Sequence, residues 1–133
     1  DAVNVASRLE GRTKYYGAGV LVGETTRNAV QDVVFREVDR IKVKGKDQSI
    51  TVYEPIGLKS DVDQQMHDEL KLWNQTLRAY RAQQWDQVDV NLVNLQRMAP
   101  GRGLYALYSQ RVSGFRRAPP PAGWDGVTAF DEK

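Results

Sequence analysis

Asn4 and Arg8 stand four residues apart near the start of the chain, in a stretch where Val5, Leu9 and Thr13 recur at the same spacing. Side chains four apart on a helix project from one face. An amide beside a guanidinium offers donors to an oxyanion or a pentacovalent phosphorus, because the planar fork of arginine matches phosphate oxygens. A second basic group follows at Lys42, Lys44 and Lys46, around Gly45. Alternate strand residues face one side and glycine permits a tight turn, so this tip suits a triphosphate held by point charges. Each pattern has a plain structural alternative, and spacing alone favours it. Arg8 can pair with a surface carboxylate while Asn4 caps a helix end. The lysines can be a solvated hairpin that protects an edge strand.

Other chemistries find less support. Glu10, Glu24, Glu37 and Asp39 form no paired-carboxylate pattern, and surface ion pairs are expected of them. His67 lies in the polar run Gln64 to Glu69 and should be exposed. Trp73 and Trp85 fall at helical spacing and read as core. Ser7 has no histidine nearby in sequence. The chain has no cysteine, which excludes disulfides, thiolate nucleophiles and cysteine-ligated zinc within it, and a single histidine argues against a multi-histidine metal site. A formal charge of +2 is too small to imply nucleic acid as partner. With 41% hydrophobic and 27% charged residues in 133, the composition is in the range of soluble globular proteins, and the length suits one compact domain or one small domain plus an appendage. No window reaches the ~18 apolar residues of a membrane span. Because residue 1 is Asp, an upstream portion is expected, and with it part of the chemistry.

The elements that must position these residues follow from periodicity. Asp1 to about Lys14 reads as a helix, ended by Gly17 and Gly19. Val20, Leu21 and Val22 read as a buried strand between glycines, and Glu24-Thr25-Thr26 opens a short helix to about Val30, with either threonine as cap. Val33 to Tyr53 reads as two antiparallel strands around the tip Lys44-Gly45-Lys46-Asp47, ended by Pro55 and Gly57. From Leu58 the period becomes helical: Leu70, Trp73, Leu77 and Tyr80; then Trp85, Val88, Leu92, Leu95 and Ala99; then Leu104, Leu107, Tyr108, Arg111, Val112 and Phe115. Short links favour antiparallel hairpins of helices, in a register like a tetratricopeptide pair. Ala118 to Pro121 is a stiff spacer. Trp124 and Phe130 beyond it should dock back onto the globule, since both are costly to leave in water.

In order, Asp1-Ala2-Val3-Asn4-Val5-Ala6-Ser7-Arg8-Leu9-Glu10, Thr13-Lys14 with Tyr16-Gly17, Val20-Leu21-Val22 with Glu24-Thr25-Thr26, Phe35-Arg36-Glu37-Val38-Asp39, and Val43-Lys44-Gly45-Lys46 through Val52-Tyr53-Glu54 resemble the class III adenylate/guanylate cyclase catalytic domain. The resemblance covers residues 1–57 and is specific because the pieces agree in order and spacing. It implies an α+β chain: the C-terminal part of a ferredoxin-like cyclase palm at 1–57, a helical tetratricopeptide-like appendage at 58–117, and a Pro-rich extended tail at 118–133.

The same resemblance implies conversion of ATP to cyclic AMP and pyrophosphate in a homodimer whose active sites form at the interface. Asn4 and Arg8 would be catalytic, Asn4 orienting the ribose and Arg8 stabilising charge at the α-phosphate. Lys44 would bind the terminal phosphates. Mg²⁺ or Mn²⁺ would be held by aspartates that lie, in family order, before Asp1, so the chain alone should make no cyclic nucleotide. The helical part and the ending Pro119-Pro120-Pro121…Trp124-Asp125-Gly126 look like the tail of bacterial cyclases with a CHASE2 sensor. That implies the cytoplasmic part of an inner-membrane protein, anchored only by segments outside this chain. Two alternatives stand beside this reading: guanylate cyclase, and a non-catalytic fragment whose helices are an interaction module. Half of a palm would also expose strand edges, which dimerisation or strand exchange would hide.

Overall fold

The structure, a computed structural model, describes residues 9–43 and 48–130, without the side chain of Val43. The chain divides into two compact units, one formed by Asp1–Val62 with Val127–Lys133 and the other by Asp63–Gly126.

The first unit is built on a sheet. Leu9 and Glu10 are helical, a turn interrupts at Gly11–Arg12, and α1 resumes over Thr13–Tyr16. The break departs from the helix expected through Lys14, and its cause is Gly11, which costs a helix about 1 kcal/mol relative to alanine. Gly17 then closes α1 at φ 70, with Gly17 N–H donating to the carbonyl of Lys14 and Ala18 N–H to that of Thr13. Strand β1 is only Val22–Gly23. The buried run expected at 20–22 reduces to Leu21, 8% exposed, while Val20 is 55% exposed. Helix α2, Glu24–Ala29, has Gly23 as its cap, so neither Thr25 nor Thr26 serves as one.

The long hairpin forms as expected, from β2 (Val33–Val43) and β3 (Ile50–Leu58), antiparallel. β3 does not stop at Pro55 but runs through it and Gly57. The register passes from Val34↔Gly57 to Phe35↔Pro55 and skips Ile56. Proline donates nothing to a ladder and is tolerated at such an irregularity.

A second irregularity, between Glu37↔Tyr53 and Asp39↔Val52, skips Val38. It shifts the inward phase of β2 by one residue. Arg36 and Val38 are buried before it, Asp39 and Ile41 after it. Strand β4, Val127–Phe130, pairs parallel with β2 from Arg40↔Val127 to Val43↔Phe130, giving the order β1-β3-β2-β4. The tail read as extended thus contains a strand, and the edge strands β1 and β4 are both short, which limits the unpaired edge the described sheet presents.

The second unit is helical: α3 (Gln64–Arg81), α4 (Trp85–Met98) and α5 (Gly103–Arg117). Asp63 caps α3, its carboxylate accepting from Met66 N–H at 2.9 Å. The predicted stripes turn inward in large part: Leu70, Trp73, Leu77 and Tyr80, then Val88, Leu92 and Leu95, then Leu104, Tyr108 and Val112 are buried, while Ala99, Leu107, Arg111 and Phe115 are half-buried. Trp73 meets Tyr108 edge-on at 4.8 Å, and Trp85, half-buried, stacks on Phe115 at 5.2 Å. Trp124 joins this cluster against Tyr80 and Phe115. His67 is exposed, as expected. Among the described residues no helix is long and apolar enough to cross a membrane.

Candidate functional site

Asn4, Arg8 and Lys44 lie outside the described residues. Their neighbours in sequence are described. Leu9, which follows Arg8, is fully buried, and Val43, which precedes Lys44, closes β2. Lys42, the one lysine of the basic tip that is described, is half-buried and registers with Ala129 of β4.

The sheet unit contains a buried polar cluster. The Asp39 carboxylate is 1% exposed and accepts from the Tyr16 hydroxyl at 2.6 Å, the Thr128 hydroxyl at 2.9 Å and the Arg40 N–H at 2.8 Å. A buried carboxylate needs such donors, because each one offsets part of the hydration it has lost. The surface pairing expected of Asp39 is therefore not what it does: the bulge at Val38 turns it inward, where alternation would have left it facing water. Glu10 and Glu24 are exposed and Glu37 is half-buried.

Around the cluster, the Arg12 guanidinium lies 3.8 Å from the centre of the Phe130 ring, and Tyr15 meets the same ring edge-on at 5.6 Å. Cation–π contact of this kind is strongest where water is excluded, and Arg12 is 9% exposed. Arg36, 1% exposed, pairs with Glu54 at 2.7 Å across the hairpin.

Tyr16, Asp39 and Thr128 thus come together from α1, β2 and β4. Sequence reasoning did not single out Tyr16 or Thr128 for such a contact. Asp39 and Thr128 are separated by 89 positions, and no local pattern links them. The one available signal was a carboxylate between Val38 and Ile41 in a β-rich run.

Three of the described carboxylates are held by neighbouring donors. Asp39 is engaged by Tyr16, Thr128 and Arg40, Glu54 by Arg36, and Glu69 of the helical unit by Tyr105 at 2.6 Å and Arg102 at 3.0 Å. No three His, Asp or Glu residues among the described ones are grouped to hold an ion.

Comparison with known proteins finds likeness to one kind of enzyme over part of the chain. A stretch of 58 residues, 41% of this chain, is 50% identical to an adenylate cyclase of Anabaena cylindrica, of which it spans 12%. Over 59 residues, 44% of the chain, identity is 42% to adenylate cyclase 1 of Rhizobium meliloti (strain 1021), of which it spans 9%. Over 60 residues, 42% of the chain, identity is 40% to the terminal-differentiation specific adenylate cyclase of Dictyostelium discoideum, of which it spans 3%. No family model matches the chain, and no solved structure matches it. The chain therefore contains an adenylate cyclase-related region, and that region spans about an eighth or less of the curated relatives it matches.

Proposed function

We propose that this chain is part of an adenylate cyclase and supplies one side of its active site. The observation that carries the reading is 40–50% identity to three adenylate cyclases over about sixty residues. All three relatives are named for adenylate, which favours ATP over GTP. The reaction is attack of the ribose 3′-oxygen on the α-phosphorus of ATP. A new phosphorus–oxygen bond closes the ring, the bond to the β-phosphate oxygen breaks, and pyrophosphate leaves with its electron pair while the 3′-hydroxyl proton is released.

Phosphoryl transfer of this kind is governed by positioning and by stabilising charge. In this reading Asn4 orients the ribose, Arg8 donates to the α-phosphate oxygens as their charge grows, and Lys44 holds the departing phosphates. Mg²⁺ or Mn²⁺, bound by aspartates outside this chain, would supply charge neutralisation. Class III membership, homodimerisation, the tetratricopeptide-like character of α3–α5 and a CHASE2-type membrane-anchored parent with this part in the cytoplasm belong to the same proposal.

Arg8→Ala in a protein extended upstream through a whole cyclase domain tests the assignment. Losing one well-placed donor costs about 10²–10³ in rate. A loss of that size, with the circular dichroism spectrum unchanged, is the expected outcome. Turnover near that of the unsubstituted protein would refute the role given to Arg8.

A further inference from the structure

The buried Asp39 cluster sits where three segments meet, and each bears on the proposed site. Tyr16 ends α1, which follows the segment carrying Asn4 and Arg8. Asp39 lies on β2, which ends one residue before Lys44. Thr128 lies on β4, which pairs with the last residues of β2.

We infer that Asp39 is a positioning residue for the cyclase reaction, its carboxylate fixing α1 and β4 against β2 through Tyr16 and Thr128. The inference rests on the cyclase reading above. Three observations support it. The Tyr16 hydroxyl reaches the carboxylate at 2.6 Å, the short distance of a charge-assisted bond. The group is buried, so water does not replace a lost partner cheaply. The inward turn of Asp39 requires a break in strand register, a local irregularity whose result is this contact.

Neither Asp39 nor its two partners is assigned a contact with ATP. Their effect passes through the placement of α1 and of the end of β2, the described elements nearest in sequence to Arg8 and Lys44. Misplacement of reacting groups by about 1 Å can cost on the order of 10² in rate, so a hydroxyl far from the chemistry can matter.

Tyr16→Phe and Thr128→Val each remove one donor and little volume, which makes them safer probes than Asp39→Ala. Thr128→Ser keeps the hydroxyl. These variants are to be made in the upstream-extended protein, with kcat and KM for ATP measured in Mn²⁺ well below each melting temperature. The expected result is a kcat about ten- to a hundredfold lower for Tyr16→Phe and Thr128→Val, an unchanged KM, and recovery of kcat in Thr128→Ser. A purely structural role would lower the melting temperatures and leave kcat alone, and that result overturns the inference. Absence of cyclic AMP from the unsubstituted extended protein overturns the cyclase reading itself, so the two failures are distinguishable.

Discussion

At the scale of single residues, two helix ends show the same backbone solution reached with different side chains. Gly17 closes α1 at φ 70, and Gln83 closes α3 at φ 58. After α3, Gln83 N–H donates to the carbonyl of Tyr80 and Gln84 N–H to that of Ala79, the crossed pair of bonds that satisfies the last carbonyls of a helix. Glycine enters this left-handed region freely, whereas a residue with a Cβ is strained there by roughly 1–2 kcal/mol. Gln83→Gly should therefore stabilise the helical unit by about 1 kcal/mol and Gly17→Ala should destabilise the sheet unit by a similar amount. Chemical denaturation of the two variants checks both signs. At Gly126, by contrast, φ is +95 and an added Cβ would collide with the Arg81 side chain, so that glycine is required twice over.

At the scale of elements, β4 is the least expected part of the fold and the most open to test. It pairs with Arg40–Val43, brings Thr128 to Asp39 and lays Phe130 on Arg12. Ending the chain at Gly126 should cost the sheet unit about 2 kcal/mol or more, since a hydrogen bond to a charged group alone is worth about 1.5–3 kcal/mol. Amide hydrogen exchange should quicken along Arg40–Val43 and stay as it was in α3, α4 and α5. Equal protection in β2 with and without the tail would contradict the role given to β4.

The same contrast explains what the sequence disclosed. Helices α3 to α5 were legible because their apolar stripes recur at 3, 4, 3 and need no partner to be recognised. The β2–β3 hairpin was legible from composition and its basic tip. The inward Asp39 was not, because the skip at Val38 reverses alternation and is written in no residue type. Nor was β4, whose pairing depends on residues more than eighty positions away. Asn4, Arg8 and Lys44 were marked as a site by resemblance to the cyclase family; spacing alone favoured a structural reading of each.

At the scale of the whole molecule, the chain order and the compact units do not coincide. The sheet unit is left at Val62, the helical unit occupies Asp63–Gly126, and the chain then returns to close the sheet with β4. Thr128 thus reaches Asp39 only after the entire helical unit has been traversed. The cyclase-related stretch is under half of the chain and about an eighth or less of its relatives. In the proposed function Asn4, Arg8 and Lys44 form one half of a split site. It is tested most directly by measuring cyclic AMP formed from ATP and Mn²⁺ by this chain and by a protein extended upstream through a whole cyclase domain. Product is expected from the extended protein only. No product from either, with both folded and the extended form dimeric, would contradict it.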